Sequence, residues 1–169
     1  MKTLGMLTII CLTASIMMVN FIFIIPKFGS KHFGAPDDIK VMMSKLPDKP
    51  SWVNIIGGLI MILGLLAIAA VLVWAIVDTV KFSLTFQQAF VRFLILFEGY
   101  KLFDIIFFDY LMLTKLKLPT KVYPETVGAK GYDNFGFNGK SQIAKIIIFF
   151  FREPNFGIFT DRFGLTKNS

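Results

Sequence analysis

The chain has 169 residues, 55% of them hydrophobic, and its mean hydropathy of +0.67 is too high for an ordinary soluble domain. These values predict a single membrane domain over residues 1–169. The net charge of +7 comes mostly from lysines beside apolar stretches, so we expect the lipid bilayer as a partner and no nucleic acid. One cysteine and one histidine are too few for an ordinary zinc site, and we expect no metal or other cofactor.

Three apolar stretches predict membrane-spanning helices, each of which needs about 20 residues. They cover residues 4–25, 52–77 and 86–113. The first is longer than the apolar core of a signal peptide, about 7–15 residues, and ends at Pro26 and Lys27. We therefore interpret it as a retained helix.

The second stretch has a tryptophan near each end, Trp52 and Trp74, as helices at membrane interfaces often do. Gly57 and Gly64 begin a stripe of small residues that allows a neighbouring helix to approach closely. Asp78 continues this stripe just beyond the apolar run.

The loop over residues 26–51 contains a short amphipathic pattern. Its apolar residues follow the spacing i, i+3, i+4 and i+7 of one helical face: Ile39, Met42, Met43 and Leu46. We expect a short helix that lies on the membrane surface, with docking to a partner as the alternative.

The third stretch carries a polar seam within its apolar sequence: Glu98, Lys101, Asp104 and Asp109. At about 100° per residue, these four residues lie within an arc of about 140°. A charge near the bilayer centre costs at least about 2.5 kcal/mol unless it is paired or hydrated, so the seam must face protein, enclosed water or its own members. Arg92 projects elsewhere and can pair with Asp78 across a helical hairpin of the second and third spans.

The seam has a structural and a functional interpretation. Lys101 can form an ion pair with Glu98 or Asp104, each three residues away, and we favour this structural role. In the functional interpretation, the carboxylates handle protons or ions, or hold a divalent metal. Asp104 and Asp109 are five residues apart and would point about 140° from each other on an α-helix, which argues against a shared site.

A second lysine-rich loop, residues 114–142, leads into a short apolar segment, residues 141–151, that contains Lys145. Its apolar run, residues 143–151 with Lys145 inside it, covers only about 14 Å as a helix, so we expect partial insertion rather than a full crossing. Loops 26–51 and 114–142 hold five lysines each, which predicts a multi-pass protein of the cell membrane with both loops in the cytoplasm.

From Asp104 the chain reads Asp-Ile-Ile-Phe-Phe-Asp-Tyr, and later Lys-Leu-Pro and Tyr-Asp-Asn-Phe-Gly-Phe. This succession, over residues 103–148, resembles small multi-span bacterial membrane proteins of uncharacterised function. The resemblance implies a multi-span membrane protein and no particular mechanism. In those proteins the last loop leads into a full final span, whereas here it leads into the short segment.

These features predict an all-α integral membrane protein: a bundle of three transmembrane helices, a short fourth apolar helix, and a short amphipathic helix in the first loop. Three helices are too few to bury the seam, so we expect a non-enzymatic protein that works through assembly with itself or with a membrane protein partner. The alternatives are a small transporter or proton- or ion-conducting subunit, and a metal-dependent membrane enzyme that acts on lipid.

Overall fold

The computed structural model describes residues 2–32 and 35–133. The chain divides into two compact units, Met1–Phe135 and Gly136–Ser169, and all described residues belong to the first. The single domain predicted over residues 1–169 therefore stays a prediction. The short segment at residues 141–151 lies outside the described residues.

The described part of the chain is helical and contains no strand, as the sequence predicts. In chain order the α-helices are α1 (Lys2–Phe23), α2 (Pro26–His32), α3 (Asp37–Ser44), α4 (Ser51–Lys81), α5 (Phe86–Phe103) and α6 (Leu118–Val122). α5 continues directly into a π-helix, Asp104–Lys115, which we call the π segment. Two short 3₁₀ turns, Pro124–Thr126 and Lys130–Asp133, follow α6.

Two of these helices, α1 and α4, are long and apolar enough to cross a membrane. The most apolar window of α1 has a mean hydropathy of 2.2, and that of α4 has 3.0. With 31 residues, α4 is about 46 Å long, whereas the apolar core of a bilayer is about 30 Å thick. The predicted third span, residues 86–113, falls within α5 and the π segment, where charged residues lower the hydropathy.

α1 lies at the centre of the bundle and packs against both α4 and α5. It runs antiparallel to α4, because Asn20 contacts Gly57 while Lys2 contacts Asp78. It runs parallel to α5, because its first half packs on α5 and its second half packs on the π segment. The second and third predicted spans correspond to α4 and to α5 with the π segment, and α1 packs against both of these helices.

The outer surface of α4 is apolar from Ile55 to Val77, and several of its large side chains are more than half exposed: Ile55, Leu59, Ile62, Leu63, Leu65, Leu66, Val73, Ile76 and Val77. A continuous apolar surface of this size is unusual on a protein in water. It is the surface that a helix presents to lipid, and it agrees with the membrane class that the sequence predicts.

The two lysine-rich loops pack together at one end of the bundle. Ile39, Met43 and Leu46 of the first loop are buried against Ala129 and Tyr132 of the second. The second loop therefore covers the apolar face of the amphipathic helix, and the location of this helix on the membrane surface stays a prediction.

Polar contacts reinforce this packing of the loops. Asp38 Oδ2 accepts a hydrogen bond of 2.8 Å from the backbone N–H of Gly131. Burial raises the pKa of Tyr132 above its ordinary value, so the phenol stays neutral, and its hydroxyl lies 3.4 Å from Thr126 Oγ1. The two loops thus form one folded cap at the end where α1 ends and α4 begins.

Candidate functional site

An ionic cluster joins three helices at the end of the bundle opposite the cap. Asp78 belongs to the last turn of α4, and its side chain is only 5% exposed. Lys2 Nζ lies 3.0 Å from Asp78 Oδ1, and Arg92 Nη1 lies 2.9 Å from Asp78 Oδ2. Arg92 also donates to Thr79 Oγ1 at 3.2 Å and to the carbonyl oxygen of Ala75 at 3.4 Å. The cluster ties the starts of α1 and α5 to the end of α4.

Local sequence explains how Arg92 reaches this position. Thr85 and Gln88 form a capping box, in which each side chain bonds to the backbone N–H of the other residue and fixes the start of α5. Arg92 then lies about 40° around the helix from Leu96, which is 1% exposed in the contact with α1. Arg92 therefore points into the bundle. The structure thus places Asp78 beside Arg92 and adds Lys2, to which the sequence assigned no role.

Glycines bring α1 and α4 into close contact between this cluster and the cap. A Cβ atom at Gly64 would lie 2.6 Å from Met17 Sδ, and one at Gly57 would overlap Ile25 Cγ2. At Gly57 the buried Asn20 donates a hydrogen bond of 3.1 Å to the backbone carbonyl. The small-residue stripe of α4 is therefore the surface on which α1 packs.

Glu98 and Lys101 lie on the side of α5 away from α1. Together with Asp104 and Asp109 of the π segment they form what we call the charged face. Glu98 and Lys101 project about 160° and 140° from the buried Leu96. All four side chains are half-buried. Within the described residues, no carboxylate oxygen lies within 4.0 Å of Lys101 Nζ.

The predicted ion pair of Lys101 with Glu98 or Asp104 is therefore not formed among the described residues. The physical reason is the weakness of such a contact. A pair three residues apart on one helix contributes only about 0.2–0.5 kcal/mol, which is not enough to hold a flexible lysine in one rotamer.

The π segment changes the direction of Asp109. The N–H groups of a π-helix bond to the carbonyl five residues earlier, and Leu116 N donates to Leu111 O at 2.8 Å in this way. Residues five apart therefore lie on adjacent turns, so Asp104 and Asp109 share a side of the helix. The expectation that these two carboxylates diverge by about 140° is wrong, because it assumed α-helical geometry throughout.

This geometry predicts how a pair of histidines will bind a metal ion. Asp104→His combined with Asp109→His should bind Zn²⁺ with an affinity within about tenfold of Ile105→His combined with Asp109→His. The second pair has the i, i+4 spacing, which places two side chains on adjacent turns of an α-helix and of a π-helix alike, and it serves as the positive control. Titration calorimetry of detergent-purified protein measures both affinities. Zinc binding by the i, i+4 pair alone would show that the segment is α-helical.

Within residues 2–32 and 35–133, no three His, Cys, Asp or Glu side chains lie close enough together to hold a metal ion. The described chain is thus an all-helical protein with two helices able to cross a membrane, an ionic cluster at one end and a charged face on a third long helix. Comparison of the chain with protein-family models, with curated proteins and with solved structures gives no match.

Proposed function

We propose that this chain is a non-enzymatic integral membrane protein with three spans, which acts by assembling with another membrane protein or with itself. The spans are α1, α4, and α5 together with the π segment. The charged face carries this proposal. It lies on a long helix, with Glu98 and Lys101 on the side away from α1, and none of its members forms an ion pair with a described residue.

The length and direction of the third helix support a membrane crossing. α5 has 18 residues and covers about 27 Å, and the 12-residue π segment lengthens it further, against an apolar core of about 30 Å. The helix runs parallel to α1 and packs along it. A bilayer that contains α1 therefore also surrounds the third helix.

The cost of exposing charge to lipid supports assembly. Each charged residue near the bilayer centre costs about 2.5–3.5 kcal/mol, and this cost is reduced only by pairing, water or a position near the interface. The exposed surface of α4 has no such groups over its central turns and suits lipid directly. A protein surface that supplies ion-pair partners would remove this cost from the charged face.

The position of the cap supports an orientation. Both lysine-rich loops lie at the same end of the helices, and Lys2 and Lys81 lie towards the other end. The positive-inside rule then places the cap in the cytoplasm and the ionic cluster at the outer face.

Photo-crosslinking in native membranes tests assembly. Phe97 is 56% exposed and lies one turn before Lys101, so a photoreactive amino acid at this position should give several-fold more protein adduct than one at Leu66. Leu66 is 60% exposed on α4 and is the matched control that faces lipid. Adducts with lipid alone at both positions would contradict the proposal.

A second candidate is a proton- or ion-conducting subunit. It is favoured by the π segment, which places Asp104 and Asp109 on adjacent turns. In proteoliposomes with an internal pH dye, conduction that falls at least tenfold in Asp104→Asn and Asp109→Asn would support this candidate. Leakage equal to that of protein-free vesicles would exclude proton conduction by the chain alone.

A further inference from the structure

We propose that the partner on the charged face is a transmembrane helix of a different protein, and that this helix carries at least two lysine or arginine residues within its apolar span. This inference rests on the proposed function, because it specifies what completes the assembly. It follows from the sign and the placement of the charges on α5 and the π segment.

The charged face has an excess of acid. Glu98, Asp104 and Asp109 oppose a single base, Lys101, so the ionised face has a net charge of −2. A second copy of the same face would bring the interface to −4, and like charges in contact oppose association. A helix with two basic residues would neutralise the face, and it would give each excess carboxylate a partner.

The π segment concentrates this negative charge. Asp104 and Asp109 lie on adjacent turns and are half-buried, while Glu98 lies about 9 Å before Asp104 along the axis. One basic residue of the partner would therefore lie level with Glu98, and another beside the two aspartates. The long side chains of lysine and arginine can span the remaining distance while their methylene groups stay in apolar surroundings.

The other outward surfaces of the described chain do not have this character. The outer face of α4 is apolar and suits lipid. In the cap, Asp37, Asp48 and Asp133 form ion pairs with Lys40, Lys27 and Lys117, and the lysines of the two loops outnumber all of their acidic residues, Asp38 and Glu125 included. Asp78 is buried and paired with two bases. Excess negative charge therefore concentrates on the charged face.

The test uses synthetic transmembrane peptides of leucine and alanine that carry two lysines about two turns apart, with two glutamines as the neutral match. The full chain carries Cys11→Ala and a donor dye on Val127→Cys, which is 66% exposed in the cap. Energy transfer to acceptor-labelled peptide in phosphatidylcholine vesicles measures association. We expect the lysine peptide to bind at least tenfold more tightly than the glutamine peptide.

Two variants link this preference to the charged face. Combined Glu98→Gln, Asp104→Asn and Asp109→Asn should abolish the preference for the lysine peptide. Lys101→Gln should strengthen binding several-fold, because it removes the only base, and this gain cannot arise from misfolding. Equal binding of both peptides, or weaker binding by Lys101→Gln, would overturn the inference.

Energy transfer between two labelled copies of the chain separates this inference from the proposed function. If the chain associates with itself and the triple variant loses this association, the partner is not a different protein. The proposal that the chain acts by assembly would still hold. If the proposed function itself is wrong, the photo-crosslinking experiment shows it separately, because the photoreactive group at Phe97 would then give only lipid adducts.

Discussion

Arg92→Ala is expected to lower the free energy of unfolding by about 3 kcal/mol, the lower end of the range for removing one partner of a buried ion pair. The Arg92 side chain is 11% exposed, and its loss leaves Asp78 with only the half-exposed Lys2. It also removes the hydrogen bonds to Thr79 and Ala75 that attach α5 to α4. Unfolding of purified protein by dodecyl sulfate, followed by circular dichroism, measures the loss.

Lys40→Ala is the matched control for this experiment. Its pair with Asp37 is exposed, with side-chain exposures of 38% and 90%, so its removal should cost less than about 1 kcal/mol. Equal losses in the two variants would mean that the ionic cluster does not hold the helices together.

Gly57→Val is expected to destabilise the protein by about 1–3 kcal/mol, the usual cost of overfilling a packed interface. A Cβ atom here would overlap Ile25 Cγ2 and approach Ile24 Cγ2 to 3.2 Å and Asn20 Oδ1 to 3.3 Å. The valine would separate α1 from α4 and weaken the hydrogen bond from Asn20 to the Gly57 carbonyl. The same dodecyl sulfate titration measures the effect.

Gly58→Val provides an unusually close control because it changes the next residue of the same helix. No atom lies within 4 Å of a Cβ at Gly58, so this variant reports only the effect of valine on the helix itself. The difference between the two variants isolates the packing of α1 on α4. A loss of stability as large at Gly58 as at Gly57 would contradict this packing.

The long helices could be predicted from the sequence because hydropathy and length determine them directly. The spans at residues 4–25 and 52–77 correspond to Lys2–Phe23 and Ser51–Lys81, with differences of a few residues at the ends. These differences arise because hydropathy marks where the apolar run stops. A helix continues while its backbone hydrogen bonds continue, as α4 does through Asp78 to Lys81.

The π segment could not be predicted because the calculation of helical faces assumes one angle per residue. Nothing in the composition of residues 104–115 distinguishes a π-helix from an α-helix. Assuming α-helical geometry affected the candidate site directly. It predicted that Asp104 and Asp109 point apart, whereas the structure places them on adjacent turns.

The residues that cover the apolar face of α3 also could not be predicted from the sequence. The spacing of Ile39, Met43 and Leu46 predicts an apolar face, but periodicity does not identify what covers it. The same apolar spacing would result whether lipid covered the face or, as in the structure, Ala129 and Tyr132 did. Only the return of the chain after the third helix brings the second loop onto this face.

Lys2 could not be assigned from the sequence, because the assignment needs the register in which α1 pairs with α4. In an antiparallel pair, residue numbers in contact have a nearly constant sum. The contacts of Asn20 with Gly57 and of Met17 with Gly64 therefore place the start of α1 near Asp78. Lys2 is the basic side chain at this end of α1, and it contacts Asp78 in the structure.

The central claim is that the charged third helix crosses the membrane, and cysteines on its two sides test it most directly. In a Cys11→Ala background, Lys81→Cys lies before α5, and Val127→Cys lies in the cap after the π segment; both positions are exposed. In intact cells, an impermeant thiol reagent should label Lys81→Cys and should label Val127→Cys only after the membrane is permeabilised. Labelling of both cysteines from the same side would show that the third helix does not cross.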